Sequence, residues 1–252
     1  MDIKKILKTL RDFIERHTEN SKVYLSHEQP IKYFKKSKIK VDLDNCKEII
    51  LQEETELELG GVNKKSFSLV YPLDQLNLIN DGKITLIGPD INPLSQSPID
   101  LGIFMIIGFQ KITEKEFDIL RQFNFISNGI EGFLIRTIPK RFWCRIGKTV
   151  AKNFSFEFFG NAIMYLYKAK FKDIIKAMEL IFISSLPDEI EEFMELTEDI
   201  RKHINLRWKE KIEEWKKRVD CDYNWECDEC PYNDACDDVK KVLDEREKLE
   251  SS

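Results

Sequence analysis

Residues 57–91 read LELGGVNKKSFSLVYPLDQLNLINDGKITLIGPDI, and the alternation of apolar segments with turns in this stretch decides the fold class. Three turn signals divide it: Gly60-Gly61, Asn80-Asp81-Gly82 and Gly88-Pro89-Asp90. Short apolar segments between such turns are typical of β-strands. The pattern, extended to both sides, predicts strands over Glu48–Gln52, Glu56–Leu59, Phe67–Tyr71, Lys83–Ile87 and Leu101–Phe109.

Towards the N-terminus, the strands give way to a polar connector and a helix. Apolar residues recur at helical spacing over residues 2–17, which predicts an amphipathic helix. We expect this helix to pack on its own domain, with docking to a partner as the alternative. Residues 18–47 are polar and rich in lysine, which predicts a connector with short extended pieces. The basic run from Lys32 to Lys40 is interpreted as a solvated surface.

Towards the C-terminus, helical and extended patterns alternate. Thr113 and Glu116 have the spacing of a capping box, which predicts a helix near residues 114–127. An apolar stripe predicts a second helix near residues 155–171. Further strands are predicted over Gly132–Ile138 and Met178–Ser184.

A change of composition at Pro187 predicts a domain boundary near residue 186. Proline suits a first helical turn, and the acidic residues that follow it suit the positive end of the helix dipole. The sequence therefore predicts an α+β fold, in which a mixed sheet-and-helix central domain is followed by a small helical metal-binding module. The expected parts are the N-terminal helix and connector (1–47), the central domain (48–186) and the C-terminal module (187–252).

Composition narrows the class of protein. The chain has 252 residues, of which 42% are hydrophobic and 34% charged, as expected for a folded globular protein rather than a disordered one. Its formal net charge of -5 disfavours a nucleic-acid partner. No segment approaches the roughly 20 apolar residues that span a bilayer, and the N-terminus has no secretory pattern. We therefore expect no membrane partner, a cytoplasmic location and reduced cysteines.

Four of the six cysteines lie together near the C-terminus in the spacing C-x5-C-x2-C-x5-C; they are Cys221, Cys227, Cys230 and Cys236. The central pair can bring two thiolates to one metal from a tight turn, and the flanking pair completes a four-thiolate shell. We expect a [4Fe–4S] cluster, with Zn²⁺ as the alternative because four thiolates suit both. Cys46 and Cys144 stand alone and are interpreted as small buried hydrophobes.

Four stretches of the central region resemble the acetyl-CoA synthase family, the β-type subunit of the CO dehydrogenase/acetyl-CoA synthase complex. They are residues 57–91 quoted above, PIDLGIFMIIGF (98–109), GIEGFLIRTIPKRFWCRIGK (129–148) and FEFFGNAIMYLYKAKFKDIIKAMELIFIS (156–184). The string DGKITLIGPDI is the most specific of these. The resemblance covers residues 48–184, and it implies the central domain of the family and a role in the carbon fixation of an anaerobe.

The resemblance also implies contact with coenzyme A (CoA) at a W-x-R motif, here Trp143-Cys144-Arg145. An indole face can stack on adenine, and a guanidinium can pair with phosphate through two hydrogen bonds. The positive charge around the phosphates would be increased by Arg141, Arg136 and Lys140. Without the resemblance, Trp143 would be interpreted as a core residue beside a surface arginine.

The family's nickel centre has no counterpart in this sequence. The family holds nickel at a Cys-Gly-Cys tripeptide, and the sequence contains none, so we expect no nickel in this chain. Whether the chain has the family's CO-methylating acetyl-CoA synthase (acyltransferase) activity stays open. The first hypothesis is an iron–sulfur protein of acetyl-CoA synthesis or cleavage that binds CoA and CO dehydrogenase or corrinoid protein subunits. The alternatives are a non-enzymatic docking or assembly factor and a structural zinc protein.

Overall fold

The computed structural model describes residues 3–202 apart from 44–49, 62, 92–97, 111–112, 114–115, 117–118, 139–140, 199 and 201, and it contains both strands and helices. The strands are β1 (Ser21–Leu25), β2 (Thr55–Gly60), β3 (Ser66–Leu73), β4 (Lys83–Ile87), β5 (Leu101–Phe109), β6 (Phe133–Ile138), β7 (Arg141–Gly147) and β8 (Ile175–Ser184). The helices are α1 (Ile3–Arg16), α2 (Pro30–Ser37), α3 (Lys148–Ala151), α4 (Phe156–Lys170) and α5 (Pro187–Leu196). The predicted α+β class is confirmed, and residues 2–197 form one compact unit.

A five-stranded mixed sheet, in the order β1-β4-β8-β5-β3, forms the centre of this unit. Strands β4 and β8 run parallel, as do β3 and β5, whereas β5 and β8 are antiparallel. Both faces of β5 are covered, and its first eight residues are buried. Burial on both faces explains the continuous apolar run LGIFMIIGF, since neither face of the strand meets water.

Helix α4 lies between this sheet and a second, three-stranded antiparallel sheet in the order β2-β7-β6. The ring of Phe159 on α4 is 5.7 Å from Phe182 of β8 and 5.8 Å from Phe133 of β6. Gly160 lets the helix approach β4 closely, because a Cβ there would stand 2.8 Å from the Ile84 side chain. The main hydrophobic core therefore lies on both sides of α4.

Helices α1 and α5 cover the other face of the five-stranded sheet. Phe193 of α5 has its ring 5.1 Å from Phe13 of α1, and 5.7 and 5.5 Å from Phe67 and Phe104 of the sheet. This packing places α5 on the same compact unit as the sheet. The residues from 203 onward lie outside the described part, so the predicted boundary near residue 186 and the C-terminal module stay predictions.

A buried ion pair ties α1 to the sheet. The Glu179 side chain on β8 is fully buried, and its two carboxylate oxygens accept hydrogen bonds from Arg11 Nη1 and Nη2 at 3.0 and 2.9 Å. Asn80 donates to the same carboxylate from its backbone N–H at 3.0 Å and from its side-chain amide at 3.2 Å. The buried charge is thus both paired and hydrogen-bonded, as such a charge must be.

Most of the predicted elements are present, and the structure corrects three predictions. Residues 18–47 contain helix α2, which is held by Phe34 against the rings of Phe158 and Tyr165. The strand predicted over Glu48–Gln52 is wrong at its described end, because a 3₁₀ turn begins at Gln52. The helix near 114–127 has its capping box, with the Thr113 N–H donating to Glu116 at 2.8 Å, but it gives way to a 3₁₀ turn over Phe123–Asn128. Among the described residues, no helix is long and apolar enough to cross a membrane.

Candidate functional site

Strand β7 carries the W-x-R motif, and its residues alternate between surface and core from Arg141 to Ile146. Phe142, Cys144 and Ile146 are fully buried and face the core below the three-stranded sheet. Trp143 and Arg145 are half-buried, and Arg141 is exposed. Because successive side chains of a strand point to opposite faces, these three residues share the outer face of the sheet. We call this surface the β7 face.

The Trp143 side chain is fixed at the centre of the β7 face. Its indole Nε1 donates a hydrogen bond to the carboxylate of Glu58 on β2. The guanidinium carbon of Arg145 lies 4.5 Å from the centre of the indole ring, which is a cation–π contact. Trp143 is therefore half-buried on the outer side of the sheet, and its contact with CoA stays a prediction.

Positive charge surrounds the indole. Arg136 of β6 is directly opposite Trp143 in the strand register, and its side chain is exposed. Arg141 stands two residues before Trp143 on the same strand, and Arg145 two residues after it. One guanidinium group can bind two oxygens of a phosphate or a carboxylate at once through two parallel hydrogen bonds. The face thus combines a flat aromatic surface with three groups suited to anions; Lys140 lies outside the described residues.

One donor of Arg145 is left unused. Its Nε is buried and has no hydrogen-bond partner among the residues that the structure describes. A buried donor without a partner costs about 1–3 kcal/mol. An anion that reached this nitrogen would remove that cost on binding.

Two residues of the β7 face were not expected from the sequence, Glu58 and Gly61. Glu58 is paired with Arg145 across the β2–β7 ladder. Gly61 has a φ of +108°, and a Cβ there would stand 3.1 Å from Trp143 Cδ1. A side chain at position 61 would therefore press on the indole. The alternation E-L-E-L in β2 was the available signal for Glu58, because it places the glutamates on the outer face.

Cys144 behaves as the small buried hydrophobe that the sequence predicted. Its side chain is fully buried in the main core. Burial raises the pKa of the Cys144 thiol well above its usual value, and the nearby Glu58 carboxylate adds to the rise. The thiol is therefore neutral near pH 7, which makes it a poor nucleophile and a poor metal ligand.

The two aspartates of the specific string DGKITLIGPDI hold the fold together. Asp81 Oδ1 accepts hydrogen bonds from the Met178 backbone N–H at 2.8 Å and from Lys168 Nζ at 3.0 Å. Asp90 Oδ1 accepts from the Phe156 backbone N–H at 3.2 Å, at the start of α4, and Asp90 Oδ2 accepts from the Tyr24 hydroxyl at 3.1 Å. These contacts explain structurally why the string has aspartates at positions 81 and 90.

A cleft of about 320 Å³ lies at the carboxyl ends of β4 and β8. Its wall includes Asp90, Asp100, Lys64 and Ser185. Asp90 is engaged as described above, and Asp100 Oδ1 accepts from the Lys65 backbone N–H at 2.7 Å. Because both carboxylates already hold backbone groups, the cleft offers less to a ligand than the β7 face does.

The predicted metal ligands are not among the described residues. Cys221, Cys227, Cys230 and Cys236 lie outside them, as does Cys46. Within the described part of the chain, no group of three or more histidine, cysteine, aspartate or glutamate side chains is placed to hold a metal ion. The four-cysteine site therefore stays a prediction from the sequence.

Comparison with known proteins gives a consistent set of relatives. The acetyl-CoA decarbonylase/synthase complex subunit beta 1 of Methanosarcina mazei is 32% identical over 167 residues, which are 65% of this chain and 35% of that protein. The corresponding beta subunit of Archaeoglobus fulgidus is 33% identical over 144 residues, 54% of this chain and 26% of that protein. The carbon monoxide dehydrogenase/acetyl-CoA synthase subunit alpha of Moorella thermoacetica is 30% identical over 156 residues, 60% of this chain and 21% of that protein.

The β7 face and every strand of the two sheets except β1 lie within residues 39–189, the region that the family matches. The chain spans about a third, or less, of the length of the relatives that it matches. The family described as CO dehydrogenase/acetyl-CoA synthase complex beta subunit matches residues 39–189, which is more than half of the 252 residues. The chain therefore belongs to the CO dehydrogenase/acetyl-CoA synthase complex beta subunit family.

Proposed function

We propose that the chain acts in acetyl-CoA synthesis or cleavage, that its β7 face binds the nucleotide end of CoA, and that its four clustered cysteines hold a [4Fe–4S] cluster. A subunit of the same complex, a CO dehydrogenase or a corrinoid protein, is its expected protein partner. Zn²⁺ at the four cysteines and a docking or assembly role are the alternatives.

The observation that carries the CoA proposal is the composition of the β7 face. Trp143 lies at the surface with Arg136, Arg141 and Arg145 around it, while the inward residues of β7 already fill the core. The nucleotide end of CoA presents the matching chemistry, since it combines one aromatic base with several phosphates. The Nε of Arg145 is buried and has no partner among the described residues, so a phosphate could bind it only after the guanidinium has moved off the indole.

The geometry adds a condition to this binding mode. Arg145 already lies over the indole at 4.5 Å, so it occupies one of the two faces of Trp143. An adenine on that face must replace Arg145, which then becomes available to a phosphate. The contacts of Trp143 and Arg145 with the ligand are therefore coupled, and their losses should not add.

Calorimetric titration of CoA into the full chain and its variants tests the proposal. Base–aromatic stacking is worth about 1–3 kcal/mol, and a hydrogen bond to a charged group about 1.5–3 kcal/mol. Trp143→Ala and Arg145→Ala should therefore each weaken binding by roughly tenfold to a hundredfold. The double variant should lose less than the sum. Arg145→Lys should also bind less tightly, because an ammonium cannot make the planar two-point contact.

Two controls sharpen the titration. Arg16→Ala removes an exposed arginine from α1, away from the β7 face, and should leave the affinity unchanged. Adenosine 3′,5′-bisphosphate should compete with CoA, whereas pantetheine, which lacks the base and the phosphates, should not. Equal affinity of the wild type, Trp143→Ala and Arg145→Ala, or no binding at millimolar CoA, would show that the β7 face has another role.

Metal analysis of anaerobically purified protein tests the cluster separately. Iron together with acid-labile sulfide would support the [4Fe–4S] cluster, and stoichiometric zinc without sulfide would support the structural alternative. Nickel measured on the same sample addresses the open question of enzymatic activity. Because this readout does not depend on CoA, either part of the proposal can fail without the other.

A further inference from the structure

Strand β1 forms one edge of the five-stranded sheet and exposes apolar side chains. Among the residues that the structure describes, it pairs with β4 alone. The residue Leu25 is 70% exposed and Val23 is 56% exposed, and Leu25 has the highest exposure among the large hydrophobic residues that the structure describes. Natural proteins usually protect such an edge with charges, proline or a bulge, because it can pair with another strand.

The free edge also presents main-chain hydrogen-bonding groups. The Gly88 N–H donates to Asn20 O at 2.8 Å, and the Ser26 N–H donates to Gly82 O at 2.7 Å. These bonds flank β1 and involve even-numbered residues, so the even positions of the strand direct their main chain towards β4. In an antiparallel ladder the alternate residues point the other way. The N–H and C=O groups of Val23 and Leu25 therefore face away from the sheet.

We infer that β1 is an interface with a second copy of this chain, paired antiparallel about a two-fold axis at Val23. In this register Val23 lies opposite Val23 of the second copy, Ser21 opposite Leu25, and Lys22 opposite Tyr24. The outward main-chain groups of the two strands then meet, and the two five-stranded sheets join into one. Such a contact is isologous and closes after two copies.

Charge and overlap select this register over its neighbours. A shift of the axis to residue 22 would place Lys22 directly opposite Lys22, which is unfavourable in a sheet. A shift to residue 24 would leave both Ser21 and Lys22 without a partner in β1 and would place Val23 opposite Leu25. With the axis at Val23, all five residues of β1 are paired and the lysine faces an aromatic ring instead of a like charge.

The side chains fit the same arrangement. Val23 is paired with Thr85 of β4, and Thr85 is on the face of the sheet that α1 and α5 cover. Val23 and Leu25 thus extend that apolar face beyond its helical cover, where the same residues of a second copy can pack beside them. Because a five-residue pairing buries less than the roughly 1,600 Å² of a standard interface, we expect a dimer that depends on protein concentration.

Sedimentation velocity of the full chain over a hundredfold range of concentration tests the inference. The weight-average sedimentation coefficient should rise with concentration from the value of a monomer towards that of a dimer. Val23→Lys and Val23→Glu should each stay monomeric, because each places two like charges opposite each other at the axis. An equimolar mixture of these two variants should recover the dimer, since the charges then attract. Val23→Thr, which keeps a β-branched side chain, is the matched control and should dimerise as the wild type does.

The mixing step decides whether the contact lies at this axis. Circular dichroism of each variant should match the wild type, because the side chain at position 23 is largely exposed. A wild-type chain that stays monomeric over the whole range would overturn the inference. So would dimers of Val23→Lys or Val23→Glu alone, or a mixture that stays monomeric while the wild type dimerises.

Discussion

Substitutions at the two partners of the buried Arg11–Glu179 pair should lower the free energy of unfolding by different amounts. Arg11→Ala would leave the Glu179 carboxylate, which is fully buried, with two hydrogen bonds from Asn80 and no cation. Glu179→Gln would instead leave Arg11, whose side chain is 32% exposed and can reach water. The amide oxygen at position 179 could still accept from one of the two Asn80 donors, whereas the amide NH2 would face the other donors without accepting from them. Removing the arginine should therefore cost more than neutralising the glutamate.

The magnitudes follow from these differences in burial. Breaking a buried pair so that one charge stays uncompensated costs about 3–5 kcal/mol, which we expect for Arg11→Ala. Glu179→Gln loses hydrogen bonds to a charged group but strands no buried charge, so we expect about 1.5–3 kcal/mol. At about 2–4 °C for each kcal/mol in a chain of this size, Arg11→Ala should lower the Tm by about 6–20 °C.

Urea denaturation followed by circular dichroism measures both variants. Arg16→Ala is the matched control, because the Arg16–Glu192 pair spans α1 and α5 at 2.6 Å, but its side chains are 58% and 38% exposed. An exposed pair of this kind contributes at most about 1 kcal/mol. If Arg11→Ala costs no more than Arg16→Ala, or if Glu179→Gln costs more than Arg11→Ala, the reasoning from burial is wrong.

Three further predictions concern pH, a turn and the cysteines. Burial raises the pKa of Tyr33 to about 12, with the Glu157 carboxylate adding to the rise. Because the Tyr33 hydroxyl ionises first in the unfolded chain, the free energy of unfolding should fall between about pH 10 and 12. Denaturation curves across that window should show a smaller fall for Tyr33→Phe than for the wild type. Gly61→Ala should lower the free energy of unfolding by about 1–3 kcal/mol, because a residue with a Cβ is strained at φ +108°. The same Cβ would press on Trp143, so the tryptophan emission should shift, and unchanged emission would contradict the contact. Cys→Ala at any one of the four clustered cysteines, Cys221, Cys227, Cys230 and Cys236, should bleach the brown colour of anaerobically prepared protein, with Cys144→Ala as a coloured control.

The sequence was most informative where a segment is buried on both faces or capped by its own residues. Strands β4 and β5 begin and end at the predicted residues, because Gly82 and Gly88 bound the apolar run of β4 and both faces of β5 are covered. Helix α2 was missed, because Phe34 is its single buried residue and the lysines around it resemble a solvated connector. Packing against α4 makes that segment helical, and this contact is not visible in the local pattern.

The candidate site was predictable in part. The spacing of Trp143 and Arg145 is compatible with a common face, but no strand was predicted over Arg141–Gly147, because the outward tryptophan hides the alternation of polar and apolar residues. Glu58 was not found, since it lies 85 residues before Trp143 in the chain. The register between β2 and β7 brings the two together, and that register depends on the burial of the whole sheet.

The alternation along residues 141–146 of β7 also separates the positions at which a substitution should disturb folding from those at which it should alter only the surface. Positions 142, 144 and 146 are fully buried, so substitutions there should destabilise the domain. Positions 141, 143 and 145 contribute little to the core, so they are free to drift or to be selected for a new ligand. A single short strand can thus supply a stable scaffold and an adaptable surface, and libraries that randomise only positions 141, 143 and 145 should retain a high fraction of folded members.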